Sequence, residues 1–369
     1  MMKHKPLFVW LVLTLLAFPA LTACHSTEDT SPTETTSAEV TIVDARGRTV
    51  TFAQPPQRIV IAGRANFMLN DAVYLFPAAP ARVVALTRAT QHSEIFTSLL
   101  DVDYEQKARF TADAGADEIA SVQPDVVLLK SFMAESLGAA LEQLDIPMVY
   151  LDLENPEQYE RDLANLGLLF GNPERAATVI NFYQTRLERV STALEGLVEE
   201  EKPRVLLLQY VGKGGEVAFK VPPATWIQTQ MTELAGGVPI WEEAAPGGGW
   251  TVVNLEQIAA WDADQIFIIS YFSDVDEVVA QLQADPQWEE FRAVQAGQLY
   301  AFPKDFYSWD QPDVRWVLGL TWLAGKIHPA RLESVDMLEE VEQFYGNLYN
   351  LDAAEVEEKI IPILQGDVR

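Results

Sequence analysis

Hydrophobic and polar positions change period several times along the chain, and each change marks an element. Thr41–Phe52 alternates around Arg46-Gly47-Arg48, which predicts a short hairpin. Continuous apolar runs follow at Arg58–Ala62, Arg82–Leu86, Asp125–Leu129 and Met148–Leu151, separated by helical segments that include Phe132–Leu144. Runs of this kind predict buried strands of a mostly parallel sheet covered on both faces.

From Asn155 the period turns helical. Asn155-Pro156-Glu157 supplies a cap, a proline at the first helical position and an acid near the positive helix end. Tyr159, Leu163, Leu166 and Phe170 recur at helical spacing, and Gly171 closes the segment. Asn172-Pro173-Glu174 then opens a second helix, with Ala176, Ile180, Tyr183, Leu187, Val190, Leu194 and Leu197 stepping by four and three. Held to Val198, it spans about 40 Å at 1.5 Å per residue, enough to lie along or between two lobes. Pro203 restores the earlier pattern, with strands at Val205–Gln209, Gln265–Ile269 and Leu299–Phe302. Helices are expected near Trp226–Leu234, Leu255–Trp261 and Val275–Gln283, then over Val317–Lys326 and most of Leu338–Leu364. The halves echo each other: Asp117-Glu118-Ile119-Ala120 precedes Asp125 as Glu256-Gln257-Ile258-Ala259 precedes Asp264, an acid eight residues before a strand-opening aspartate each time. The fold expected is α/β, two mostly parallel-sheet lobes joined by one long α-helix, with the ligand cleft between them.

The amino end changes the picture. Lys3 and Lys5 precede an apolar run, Pro6–Phe18, and then Leu21-Thr22-Ala23-Cys24, a run too short for a spanning helix. This pattern resembles a bacterial lipobox, in which cleavage leaves Cys24 as an acylated amino terminus. Residues 1–23 are therefore read as a lipoprotein signal peptide and 24–39, rich in Ser, Thr and acids, as a disordered tether. Residues 40–154 form the expected first lobe, 155–199 the helical linker and 200–369 the second lobe with terminal helices. Cys24 is the only cysteine, so no internal disulfide supports the fold. The formal charge is −28, and removing Lys3 and Lys5 takes it further negative, which argues against a nucleic-acid partner.

In open parallel sheets ligands sit beyond the carboxyl ends of the strands. That rule selects Arg64, Arg88 and Lys130 from the first half, and Lys213, Tyr271, Tyr307 and Trp309 from the second. The cations suit anionic groups of a chelate and the aromatics its organic skeleton. The alternatives are a surface ion pair for each cation and core packing for Trp309. Trp250, after Gly247-Gly248-Gly249, reads as a lip over the cleft or a buried loop anchor. A bare-metal site needs converging histidines or thiolates. After signal removal only His25, His92 and His328 remain, the last at a helix end. No resident cofactor or protein-held metal is expected. An anchored hydrolase is the competing class, but the chain has no Gly-x-Ser-x-Gly, no His-Glu-x-x-His, and no phosphate-loop spacing at Gly212-Lys213-Gly214-Gly215.

Several segments, in order, resemble one family. Asp44-Ala45-Arg46-Gly47-Arg48-Thr49-Val50 with Pro55-Pro56-Gln57-Arg58-Ile59-Val60 looks like the opening of the iron-siderophore, haem and cobalamin periplasmic-binding proteins. Val122-Gln123-Pro124-Asp125, Leu144-Asp145-Ile146-Pro147, Ala293–Tyr300 and Trp309-Asp310-Gln311-Pro312 through Arg315 are similar to later parts of it. The resemblance implies a non-enzymatic, extracytoplasmic binding protein that delivers a small-molecule metal chelate, first of all an iron complex, to an ABC permease with its ATPase. Haem, cobalamin and molybdate or tungstate are alternatives within it. It also implies one acid on each lobe that docks on the permease, here Asp117 and Glu256. Relatives carry Glu at the first position, so neighbouring Glu118 is a second candidate. The lipid bilayer would be met through acylated Cys24.

Overall fold

Alternation at the start becomes an antiparallel pair, β1 (Val40–Val43) and β2 (Thr49–Phe52). Asp44 closes its turn, accepting the amides of Arg46 at 2.9 Å and Arg48 at 3.0 Å and the Arg48 guanidinium at 2.7 Å. The computed structural model describes residues 39–88, 94–213 and 216–368, which fall in one compact unit. Cys24, the tether before Glu39, His25 and His92 lie outside the described residues, as does the side chain of Lys213.

The first sheet holds β3 (Ile59–Ile61), β4 (Val83–Thr87), β5 (Ala108–Phe110), β6 (Val126–Leu129) and β7 (Met148–Tyr150). Their order is β5-β4-β3-β6-β7 and every pair is parallel. Ile59 and Ile61 face one apolar cluster, while Val60 between them faces another with Val127 and Leu129. Both faces are buried, which is why these strands read as unbroken apolar runs.

The second sheet holds β8 (Arg204–Lys213), β9 (Glu216–Val221), β10 (Val238–Pro239), β11 (Thr251–Val253), β12 (Gln265–Ile269) and β13 (Leu299–Ala301). β8, β10, β12 and β13 are parallel, β9 runs against β8, and β11, antiparallel to β9, returns to the direction of β8 at that edge. Lys213, expected just beyond a strand end, instead lies at the end of a longer β8, which pairs with β9 through Lys213 and Glu216.

The echo between halves extends to individual bonds. Asp125 accepts the amide of Arg58 at 2.9 Å, and Asp264 accepts that of Arg204 at 2.7 Å. In return both aspartate amides donate to the carbonyls of those arginines at 2.8 Å. Two residues before each aspartate the backbone enters the left-handed region, at Gln123 (φ 50°) and Asp262 (φ 42°). Asp117 in Ala116–Ala120 and Glu256 in Leu255–Trp261 each occupy the second position of their short helix.

Asn155 and Asn172 cap the two linking helices through the amides of Gln158 at 2.9 Å and Arg175 at 3.0 Å. These helices are Pro156–Leu169 and Pro173–Ala193. The second stops short of the expected Val198: Gly196 takes φ +77°, and Leu194 and Leu197 turn aside to pack around Gly236. Its 21 residues span about 32 Å. Arg175 ties it to both halves, donating to the carbonyls of Leu75 at 2.8 Å and Asn347 at 3.0 Å. The expected Phe132–Leu144 helix is broken into a tight turn, a wide turn at Ala134–Gly138 and one α-turn at Ala139–Glu142. Gly138 meets the Tyr150 hydroxyl there, where a side chain would collide. Trp316–Ile327 ends at His328. No described helix is long and apolar enough to cross a membrane.

Candidate functional site

In the first sheet the chain leaves β3 toward β4 on one side and comes back to β6 on the other, so the loops after β3 and β6 part and leave a crevice. The loop after β3 is forced through left-handed backbone at Gly63 (φ 88°) and Ala65 (φ 53°) before the helix Phe67–Val73 begins. After β7 a third such residue, Leu153 (φ 54°), turns Glu154 inward. Non-glycine residues in this region carry strain that clusters at ligand sites.

These segments wall a cavity of about 380 Å³ with Ala65, Phe67, Met68 and Glu154. The second half supplies the opposite wall: Trp226 and Gln228 at the start of the helix Ile227–Leu234, Trp250 ahead of β11, Tyr271 after β12, and Gln311-Pro312. Trp226 and Trp250 meet edge to face at 5.7 Å, and Trp250 meets Tyr271 likewise at 6.2 Å. Behind them lies the buried Asp310, whose carboxylate accepts the Tyr271 hydroxyl at 2.8 Å and the Gln228 amide at 3.1 Å. Burial pushes the Asp310 carboxyl up, against the hydrogen bonds from Gln228 and Tyr271 that pull it down. Burial, then the Asp310 charge, hold the Tyr271 hydroxyl well above the usual phenol range, so it stays a donor to Asp310.

A second cavity, about 800 Å³, adjoins the first across Tyr271 and Gln311, which border both. Phe67 lines the first and Tyr307 the second, and their rings stack at 4.5 Å between the two. Lys304 in the second cavity donates to the carbonyls of Ser270 and Ser273, and Lys359 pairs with Glu355.

Beneath Phe67 and Pro312 one guanidinium joins the halves. Fully buried Arg315 contacts Asp71 at 2.6 Å, Asp305 at 2.7 Å and Asp313 at 2.8 Å. Tyr345 completes the cluster, at 3.0 Å from Arg315 and donating to Asp305 at 2.6 Å. Asp71 sits one helical turn after Phe67, so the cluster fixes both cavity walls from behind. Burial raises the Asp71 carboxyl well above its ordinary range, and nearby Arg315 offsets this only in part.

Of the residues expected to hold a ligand, Tyr271 lines the first cavity and Tyr307 the second. The others are placed elsewhere. Arg64 faces a different cavity of about 500 Å³ and pairs with Asp113 at 2.6 Å, the surface ion pair that was its alternative. Lys130 is fully buried and neutralises Glu154 from behind at 2.5 Å. Trp309 is in the core with its indole N–H on Asp305 at 3.0 Å, so core packing replaces ligand contact. Arg88 is exposed at the end of β4, and Lys213 ends β8 in the edge hairpin. Asp117, Glu118 and Glu256 are exposed.

A family model described as "Periplasmic binding protein" matches residues 83–306. The molybdate-binding protein MolA of Haemophilus influenzae is 24% identical over 374 residues, covering 94% of this chain and 97% of MolA. A periplasmic solute binding protein from Veillonella parvula superposes with TM-score 0.70 at 22% identity, covering 88% of this chain and 98% of that one. Helicobacter pylori CeuE with Ni(II) bound superposes with TM-score 0.66 at 18% identity, over 87% and 99%.

Proposed function

The chain belongs to the periplasmic binding protein family, and from that premise we propose that it is the solute-binding component of an ATP-driven importer. It captures a metal complex between its halves and hands it to a membrane permease, with no chemistry on the solute. The observation that carries this reading is the aromatic cavity at the carboxyl ends of both sheets, walled by residues of each half. An iron complex is the first candidate solute; haem, a corrinoid and molybdate, the last named for MolA, are the alternatives. Residues 40–154 and 200–369 act as the two lobes and 155–199 as their linker. Asp117, with Glu118 beside it, and Glu256 meet the permease from equivalent positions of the internal repeat.

The test of capture is native mass spectrometry of the soluble domain purified without denaturation. A bound small solute that Tyr271→Ala or Trp250→Ala releases is the expected result. A spectrum showing only the bare chain, unchanged after incubation with metal complexes of the candidate classes, would refute the proposal.

Anchoring rests on Leu21-Thr22-Ala23-Cys24. Cys24→Ser is expected to release the protein from the membrane fraction or to block its processing. Fractionation and migration identical to wild type would remove the lipoprotein assignment.

A further inference from the structure

Every charged or committed polar group at the cavity has one polarity. Among the described residues Glu154 is the only charged side chain in its wall, and it remains 45% exposed while buried Lys130 holds one of its oxygens. The Tyr271 hydroxyl and one N–H of Gln228 donate to Asp310, so those donors are turned away from the cavity. The Gln228 carbonyl oxygen has no partner, and the Asp310 carboxylate behind it is met by neutral groups alone. Trp226, Trp250 and Tyr271 add ring faces, whose quadrupoles favour positive charge. Gln311 and the two indoles add side-chain donors, all of them neutral. Among the described residues no guanidinium or ammonium lines this wall. In the adjoining cavity Lys304 is consumed by two carbonyls and Lys359 by Glu355.

Resting on the solute-binding reading above, we infer that the cavity selects a solute whose outer surface is neutral to positive and carries N–H donors. A polyanionic chelate would meet the exposed Glu154 oxygen and three ring faces, with no side-chain cation of this wall to offset its desolvation. An iron complex stays admissible where its ligands leave the periphery uncharged or cationic.

Two substitution-inert complexes of similar shape and opposite charge test the inference by isothermal titration calorimetry at physiological salt. These are tris(ethylenediamine)cobalt(III) and tris(oxalato)cobalt(III), with molybdate as a small oxyanion. The expected result is one-to-one binding of the ethylenediamine complex and none of the two anions. Trp250→Leu is expected to weaken it about tenfold, the scale of one desolvated cation–π contact. Glu154→Gln is expected to weaken it at least as much, with a melting curve reporting whether the freed Lys130 has damaged the fold. Because the whole chain is acidic, exposed Glu290→Gln serves as the surface control and should leave binding unchanged. Tighter binding of either anion, absence of cation binding, or cation binding indifferent to Trp250→Leu overturns the inference. A preference for an anion would leave solute capture standing and reverse only its charge class, whereas the mass spectrum above decides capture itself.

Discussion

Arg315→Ala is expected to destabilise the chain by about 3–5 kcal/mol, the cost of leaving buried charges without their partner. The guanidinium and all three of its carboxylates are buried, and it also stacks 4.5 Å over the Phe96 ring. Removing it leaves Asp71, Asp305 and Asp313 facing one another in the interior. Urea unfolding should show a lower midpoint with an unchanged slope. Arg315→Lys should recover little, because one ammonium cannot replace a planar fork that meets three acids from different directions. Asp71→Asn should act the opposite way. The folded carboxyl of Asp71 is raised above its unfolded value, so the folded state binds the extra proton. Stability from that group is full below the unfolded pKa, falls as pH rises toward the folded one, and stays lost above it. Asparagine keeps an oxygen for the 2.6 Å bond from Arg315 without the charge, so the variant should be the more stable near neutral pH and lose less stability on raising pH from 4. Equal pH profiles for Asp71→Asn and wild type would show that Asp71 is ionised like an exposed aspartate.

Exchanging both Asp117 and Glu256 for lysine should abolish uptake in cells while leaving solute affinity within about threefold, since like-charge contact at an interface costs several kcal/mol. The argument is geometric. Both acids are exposed, at the second position of helices followed by a left-handed residue and, two residues later, by an aspartate that grips the preceding arginine strand by the same two bonds. Ala116, beside Asp117, borders the cavity that holds Arg64, which puts this helix start at the carboxyl end of β3, the edge where the solute cavity opens. A matched pair of acids on two related halves is what a two-part partner would read. Single exchanges should each reduce uptake, and neither should affect the solute cavity, whose walls contain neither residue. Weaker binding by the purified double variant would move these acids from docking to capture.

The internal repeat was legible because it is written in local chemistry, a strand-opening aspartate and an acid eight residues before it; the left-handed residue between them, Gln123 or Asp262, is seen only in the structure. Continuous apolar strands were legible for the same reason, since burial on both faces leaves no room for polar alternation. β9 is not legible as a strand because its apolar residues Val217, Phe219 and Val221 alternate with Ala218 and Lys220 and do not form the continuous apolar run that marks the buried strands. Most site residues were missed for a geometric reason. The strand-end rule selects the first side chains after each strand, whereas the wall is built further along, at Phe67, Met68 and Glu154, where left-handed residues turn the chain back. The cations follow a different rule. With 54 acids against 26 basic residues, a cation near a strand end readily finds a carboxylate neighbour, as Arg64 and Lys130 do. Trp250, weighed beforehand as a lip, does line the cavity.

The central claim is that a solute sits between the Ala65–Met68 loop and the Trp226–Trp250–Tyr271 wall. A crystal structure of the protein purified with its natural solute measures this directly. Density packed on Trp226, Trp250 and Tyr271, with a polar contact at Glu154, is the predicted result. Density in the cavity beside Arg64 and Asp113, or on Lys304 and Lys359 alone with the aromatic cavity vacant, would contradict the account.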